Sequence, residues 1–248
     1  MKSLAAGWTL LRALRHALAG WLTIVFVFPR LSQAQRDMRV QVWARQMLAV
    51  LGIDLQLHGT PPVAGPVLLV ANHISWLDIL VMHAARHCRF VSKSELKAWP
   101  LIGTLATGAG TLYIERESRR DAMRVVHRMA DSLKAGEILA VFPEGTTSDG
   151  VSLLPFHANL IQAAISADAP VQPVALSFID TRTGQTSLAP CYIGDDTLIG
   201  SVWRTLTTPG ISAVVRYGAA QRAQGRDRRA WAADLRSAVS ALRGSGGG

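Results

Sequence analysis

A histidine and a carboxylate lie five residues apart in Asn72-His73-Ile74-Ser75-Trp76-Leu77-Asp78, just after the apolar run Val67–Ala71. A neutral imidazole is the side chain best suited to take a proton at neutral pH, and a carboxylate fixes its tautomer. On one straight helix the two side chains would point about 140° apart, at about 100° per residue. The pair therefore requires His73 in the turn before a helix and Asp78 in its first turns, with Asn72 and Ser75 serving as turn or capping residues. A second cluster, Phe142-Pro143-Glu144-Gly145-Thr146-Thr147-Ser148, follows the apolar run Ile138–Phe142 and supplies a carboxylate, a glycine and three hydroxyls. Polar clusters at the ends of two buried strands imply one shared site. No Gly-x-Ser-x-Gly elbow is present to activate Ser75 or Ser148. His73 acting on a substrate hydroxyl is thus favoured over a covalent serine intermediate.

Other charged residues end strands nearby. Arg116, in Thr111–Arg116, can grip a phosphate in fork geometry, and Lys93 offers a point charge. Gly145-Thr146-Thr147 can present N–H groups and hydroxyls to phosphate oxygens, although no P-loop signature exists. Glu144 beside an anion site would orient Arg116 or bind acceptor hydroxyls. Each of these charges taken alone is an ordinary solvated group. His83 and His87, four apart with Cys88 adjacent, mimic a metal pair, but no third ligand is positioned by sequence, and no metal is expected.

The elements that must hold these residues alternate. Strands are expected at Asp54–His58, Val67–Ala71, Arg89–Ser92, Thr111–Glu115, Ile138–Phe142, Val171–Phe178 and Ser212–Tyr217. Helices are expected at Trp76–Arg86, Ser118–Ala135, Phe156–Ala167, Thr197–Thr207 and Arg228–Arg243. Ser118 with Asp121 resembles a capping box, and Gly136 sits where that helix should stop. Such alternation predicts an α/β domain, its mostly parallel or mixed sheet flanked by helices, with sites at the carboxyl ends of strands.

Upstream the texture differs. Ala17–Pro29 carries no charge and is flanked by Lys2, Arg12, Arg15 and Arg30. It is short for a span, which takes roughly 17–25 residues, unless the helix begins near Ser3 and the arginines snorkel. No clean cleavage site marks it as a signal peptide. Val40, Trp43, Ala44, Met47, Leu48 and Leu51 then repeat at helical spacing opposite Arg39, Gln41, Arg45 and Gln46. Two such helices form a membrane anchor, either spanning or lying in one leaflet. The expected organisation is residues 1–52 as anchor, 53–243 as the α/β domain and 244–248 as a flexible tail.

The 248 residues carry 26 Lys+Arg against 17 Asp+Glu, a net charge of +9. No zinc-finger spacing or aromatic-interleaved basic stripe points to nucleic acid, so an anionic membrane surface is the partner that this charge suits. Apolar content of 49% is too low for a multi-span protein. Cys88 and Cys191 suggest no disulfide framework, and a reducing compartment is the simplest reading.

From Ile53 to Phe178 the chain resembles the lysophosphatidic acid acyltransferases of the glycerolipid acyltransferase group. Four blocks occur in the family's order: Asn72-His73-x4-Asp78, Gly110–Arg116, Phe142-Pro143-Glu144-Gly145-Thr146 and Val171-Gln172-Pro173-Val174-Ala175. The second departs from the pattern, since Glu115 stands where Asp is more usual before Arg. The resemblance implies that His73 is the general base on a lysolipid hydroxyl and that Asp78 orients it. Arg116, Glu144, Gly145 and Thr146 would then hold the acceptor, with Lys93 assisting at its phosphate. The donor would be an acyl-CoA or acyl-carrier protein thioester, with no cofactor, at the cytoplasmic face of the inner membrane. The acceptor is expected to be 1-acylglycerol-3-phosphate, giving phosphatidic acid. Three rivals stay open: lyso-ornithine lipid as acceptor, a thioesterase that uses water, and a lipid-binding protein without catalysis.

Overall fold

A computed structural model describes residues 2–114 and 119–244. The elements in order are α1 (Lys2–Phe26), α2 (Gln33–Leu51), β1 (Ile53–His58), β2 (Val67–Ala71), α3 (Leu77–Ala85), β3 (Arg89–Lys93), α4 (Ile102–Gly108), β4 (Leu112–Ile114), α5 (Arg119–Lys134), β5 (Ile138–Val141), α6 (Gln162–Ser166), β6 (Val171–Asp180), α7 (Leu198–Thr207), β7 (Ile211–Tyr217) and α8 (Arg228–Gly244). Short 3-10 turns occupy Phe28–Arg30 and Ser94–Ala98.

All seven expected strands are present, in one sheet of order β1-β7-β6-β2-β5-β3-β4. The run from β6 to β4 is parallel, β7 is antiparallel to β6, and β1 is parallel to β7. The sheet is therefore mixed. β2 and β5 are buried on both faces, which is why each reads as an unbroken apolar run. Leu69 and Ala71 face a core shared with α2 and α3, whereas Leu68 and Val70 face one shared with α5, α6 and α8. The period-2 alternation of a strand divides them. The chain steps outward from β2 to β3 and β4, then returns to insert β5 beside β2. The parallel ends of β2, β5 and β3 consequently meet at one edge.

Two helix expectations need correction. Phe156–Ala167 is helical only over Gln162–Ser166, because the His157 N–H bonds Pro143 O at 2.8 Å and ties the segment to the neighbouring loop. α4 was not expected, since Gly103 and Gly108 disfavour helix. Tertiary contact holds it: Gly103 O accepts Tyr113 Oη at 3.1 Å, and a Cβ on Gly108 would fall 2.5 Å from Ile24 of α1. The Ser118–Asp121 capping box lies outside the described residues.

α1 begins at Lys2 and runs 25 residues, yet no described helix is long and apolar enough to cross a membrane. It pairs with α2 through a reciprocal lock. Trp43 Nε1 donates to His16 O at 3.1 Å, the His16 ring meets Trp43 O at 3.1 Å, and the rings stack. Ser32 and Gln35 form a capping box at the start of α2. Gln41 and Arg45, expected on the outer face, instead bond the α3 carbonyls Ala84 O and Ala85 O, at 2.7 Å for Arg45 to Ala84. Cationic donors at a helix carboxyl end satisfy orphan carbonyls and the macrodipole.

His83 and His87 stack at 5.3 Å inside the fold, and His83 packs edge-on against Phe90. Burial, followed by repulsion from His87, lowers the His83 pKa from 6.5 to about 3. The unfolded imidazole takes its proton near 6.5, so between these values the unfolded state binds more protons and stability falls as pH falls. His83→Phe removes that term, and its acid unfolding, followed by near-ultraviolet circular dichroism, should shift to lower pH. An unchanged midpoint would contradict this origin.

Candidate active site

β2 ends at Ala71, and the next residue fastens the strand. Asn72 is fully buried and pairs with the Leu176 backbone like one more ladder rung, donating to Leu176 O at 3.0 Å and accepting from Leu176 N at 2.8 Å. It is a strand tie and not the helix cap that its type suggested. The chain then turns through Ile74, Ser75 and Trp76 into α3, whose second residue is Asp78.

One oxygen of Asp78 organises that turn. Oδ2 accepts Ile74 N at 2.6 Å, Ser75 N at 2.9 Å and His73 Nδ1 at 2.8 Å, with the carboxylate fully buried. A carboxylate only accepts, so the imidazole bond requires Nδ1–H and leaves the Nε2 lone pair free. Phe142 stacks on the ring at 4.0 Å and 6° between planes, fixing its other angular freedom. The His73 side chain is 20% exposed.

The second cluster arrives from β5. Glu144 is buried, and its oxygens accept His73 N at 2.7 Å and Leu154 N at 2.9 Å. Burial pushes its pKa up, while these two backbone bonds pull it back. Glu144 thus ties two backbone segments together instead of facing open space. Gly145 holds φ +74°, and its N–H bonds Phe142 O at 3.1 Å. The Thr147 hydroxyl donates to Tyr192 O, and Ser148 N reaches His73 O at 2.8 Å. Two of the donors expected at a phosphate are therefore engaged within the protein, leaving exposed Thr146 beside them.

Lys93 is exposed at the end of β3, on the same sheet edge. Arg116 lies outside the described residues. Trp99 is exposed, and Trp76 Nε1 donates to Ser201 Oγ at 3.1 Å. Sequence reasoning assigned no role to Phe142 or His157. A Cβ on Gly145 would meet the His157 ring at 3.0 Å, so this exposed imidazole packs against the glycine turn. The only signal for Phe142 was its place at the head of the second cluster.

A parallel strand edge thus presents an imidazole whose orientation is fixed by a buried carboxylate, an arrangement suited to accepting a proton. Residues 54–177 match the sequence model of the acyltransferase family. The chain is 37% identical to the lyso-ornithine lipid O-acyltransferase of Pseudomonas aeruginosa, over 92% of this chain and 87% of that one. It is also 37% identical to the 1-acyl-sn-glycerol-3-phosphate acyltransferase of Neisseria meningitidis, over 84% and 81%. The crystal structure of a 1-acyl-sn-glycerophosphate acyltransferase from Thermotoga maritima shares the fold, with TM-score 0.63 and 18% identity, over 95% of this chain and 98% of that one. The chain belongs to the acyltransferase family and is an O-acyltransferase.

Two substitutions test this scaffold. Glu144→Gln sets an amide donor against a backbone N–H; the shift of His73 should cost about 10²-fold in kcat with secondary structure intact. A wild-type kcat would remove the positioning role. Asn72→Ala should lower unfolding free energy by about 1–3 kcal/mol for each Leu176 group left unpaired, measured in denaturant.

Proposed function

We propose that this enzyme transfers an acyl chain from an acyl-CoA or acyl-carrier-protein thioester to the free hydroxyl of 1-acylglycerol-3-phosphate, forming phosphatidic acid. The observation that carries the chemistry is the 2.8 Å bond between His73 Nδ1 and the buried Asp78. His73 Nε2 takes the hydroxyl proton as the oxygen attacks the thioester carbonyl carbon. The tetrahedral adduct collapses, the carbon–sulfur bond breaks, and the imidazolium returns the proton to the thiolate. Asp78 keeps the ring in the required tautomer and balances its transient charge. A base so placed contributes about 10²–10⁴-fold. Glu144 positions His73 through its backbone, and the holding of the acceptor is assigned to Thr146, Lys93 and Arg116.

Lys93 at the shared strand edge supports a phosphate-bearing acceptor, as does the Neisseria relative. The Pseudomonas relative, matched over a larger share of the chain, favours a second reading in which lyso-ornithine lipid is the acceptor. The apolar face of α1 supports docking in one leaflet of a membrane, which this reading takes to be the inner membrane at its cytoplasmic face.

Purified enzyme assayed with one acyl thioester against both lysolipids separates the readings. Thiol release should depend on lysophosphatidate; dependence on lyso-ornithine lipid alone selects the second reading, and release without any lysolipid indicates a thioesterase. His73→Ala should abolish transfer and leave vesicle binding unchanged, and an active variant would sink the mechanism. Arg116→Ala should raise the acceptor KM more than it lowers kcat.

A further inference from the structure

The sequence of α7, Leu198-Ile199-Gly200-Ser201-Val202-Trp203-Arg204-Thr205-Leu206-Thr207, divides polar and apolar residues in an unusual sense. Its small polar residues point inward. Ser201 and Thr205 are buried, with Ser201 Oγ on Cys191 O at 3.1 Å and Thr205 Oγ1 on Ser201 O at 2.8 Å. Arg204 gathers the preceding segment, donating to Ala189 O at 3.0 Å and to Asp196 at 2.9 Å. The outward face carries Ile199, 83% exposed, and Trp203, 41% exposed, four residues apart on one stripe. Exposing these two while burying hydroxyls needs a partner that takes the apolar side.

The inner face reaches the catalytic turn directly. Ser201 Oγ accepts from Trp76 Nε1 at 3.1 Å, and Pro190 O receives both Ser75 Oγ and Ser201 Oγ. Tyr192 N bonds Ile74 O at 3.2 Å, and Thr147 of the glycine turn bonds Tyr192 O. Both loops that frame His73 therefore lean on α7 and the segment before it.

α7 packs against α1, whose exposed stripe includes Leu4, Trp8, Leu11, Leu18 and Leu22. Arg12 and Arg15 are exposed on the same helix. Arg12 borders this stripe and Arg15 interrupts it, and an apolar stripe with tryptophan and long arginines that can snorkel to the headgroups is the composition of a helix lying in an anionic lipid interface. The net charge of +9 complements that surface, whereas a second copy of the chain would bring the same charge against it. We infer that the outer face of α7 is a second bilayer-contacting element beside α1, and that its seating in lipid sets the catalytic turn for acceptors embedded in the membrane. The coupling to catalysis rests on the lysolipid acyl-transfer reading.

Both native cysteines are buried, so an environment-sensitive thiol dye can be placed at Ile199→Cys, with Ser240→Cys on α8 as control. On vesicles of phosphatidylcholine and phosphatidylglycerol, the dye at 199 should shift to the blue and be quenched by acyl-chain nitroxides, and the dye at 240 should not. A water-like signal at 199 on vesicle-bound protein overturns the contact. So does a shift that follows protein concentration without lipid, which would mean that a second copy covers this face.

The Ile199→Ser/Trp203→Ser double variant should lose at least about tenfold in turnover of a bilayer-embedded lysolipid, since tenfold corresponds to less than the full burial of one such side chain. Turnover of a short-chain, monomeric lysolipid should not change. Equal loss on both acceptors means a purely structural role, and no loss on either overturns the coupling. If wild-type protein acylates neither acceptor, the functional reading fails, while the dye signal still decides the contact.

Discussion

A carboxylate taken out of water draws donors to itself, and the chain around Asp78 folds about one of its oxygens, Oδ2, while Oδ1 is buried with no partner among the described residues. Three donors converge on Oδ2, two from the backbone of Ile74 and Ser75 and one from the imidazole. The turn cannot open without stranding a buried charge, a penalty of several kcal/mol even after relaxation. The conformation of the loop and the tautomer of His73 are thus one constraint. Asn72 fixes one end of the loop to β6, and the start of α3 fixes the other.

Glu144 applies the same logic across the sheet edge. It reaches the N–H of His73 on one side and that of Leu154 on the other, so a second buried carboxylate also stabilises backbone. The Leu154 segment is held in turn from α8, where Arg236 bonds Leu154 O at 3.0 Å and Arg243 bonds Val151 O at 3.0 Å. An aromatic column continues from His73 through Phe142 and Phe90 to His83. The imidazole rests on core packing, and its orientation is fixed by the protein's own contacts.

Much of this was legible in the chain. Buried strands are short apolar runs bounded by glycine, proline and asparagine, and all seven could be placed within a few residues. The dyad was legible because His73 and Asp78 make sense together only across a helix start. Three things were not. The insertion of β5 between β2 and β3 is a long-range pairing with no local signature. α4 contradicts its own propensity and exists through contact with α1 and Tyr113. Glu144 was expected to face the acceptor, because a sequence reveals an acid near a site but not which N–H its oxygens will meet.

The division of labour that results bears on acceptor choice. Every strong contact to His73, Asp78 and Glu144 is made with backbone or with another member of the site. None depends on the charge of a lipid headgroup. Lys93 and Thr146 are exposed at the strand edge, outside those buried bonds, and the proposed headgroup contacts fall to them. Substitutions there can change the acceptor without disturbing the buried bonds that hold the base. A scaffold of this kind supports one reaction on several lysolipids, which accords with relatives of equal identity whose names specify different acceptors. The dyad is common to both acceptor readings, and Lys93 stands exposed at the strand edge, apart from the buried bonds that hold the imidazole.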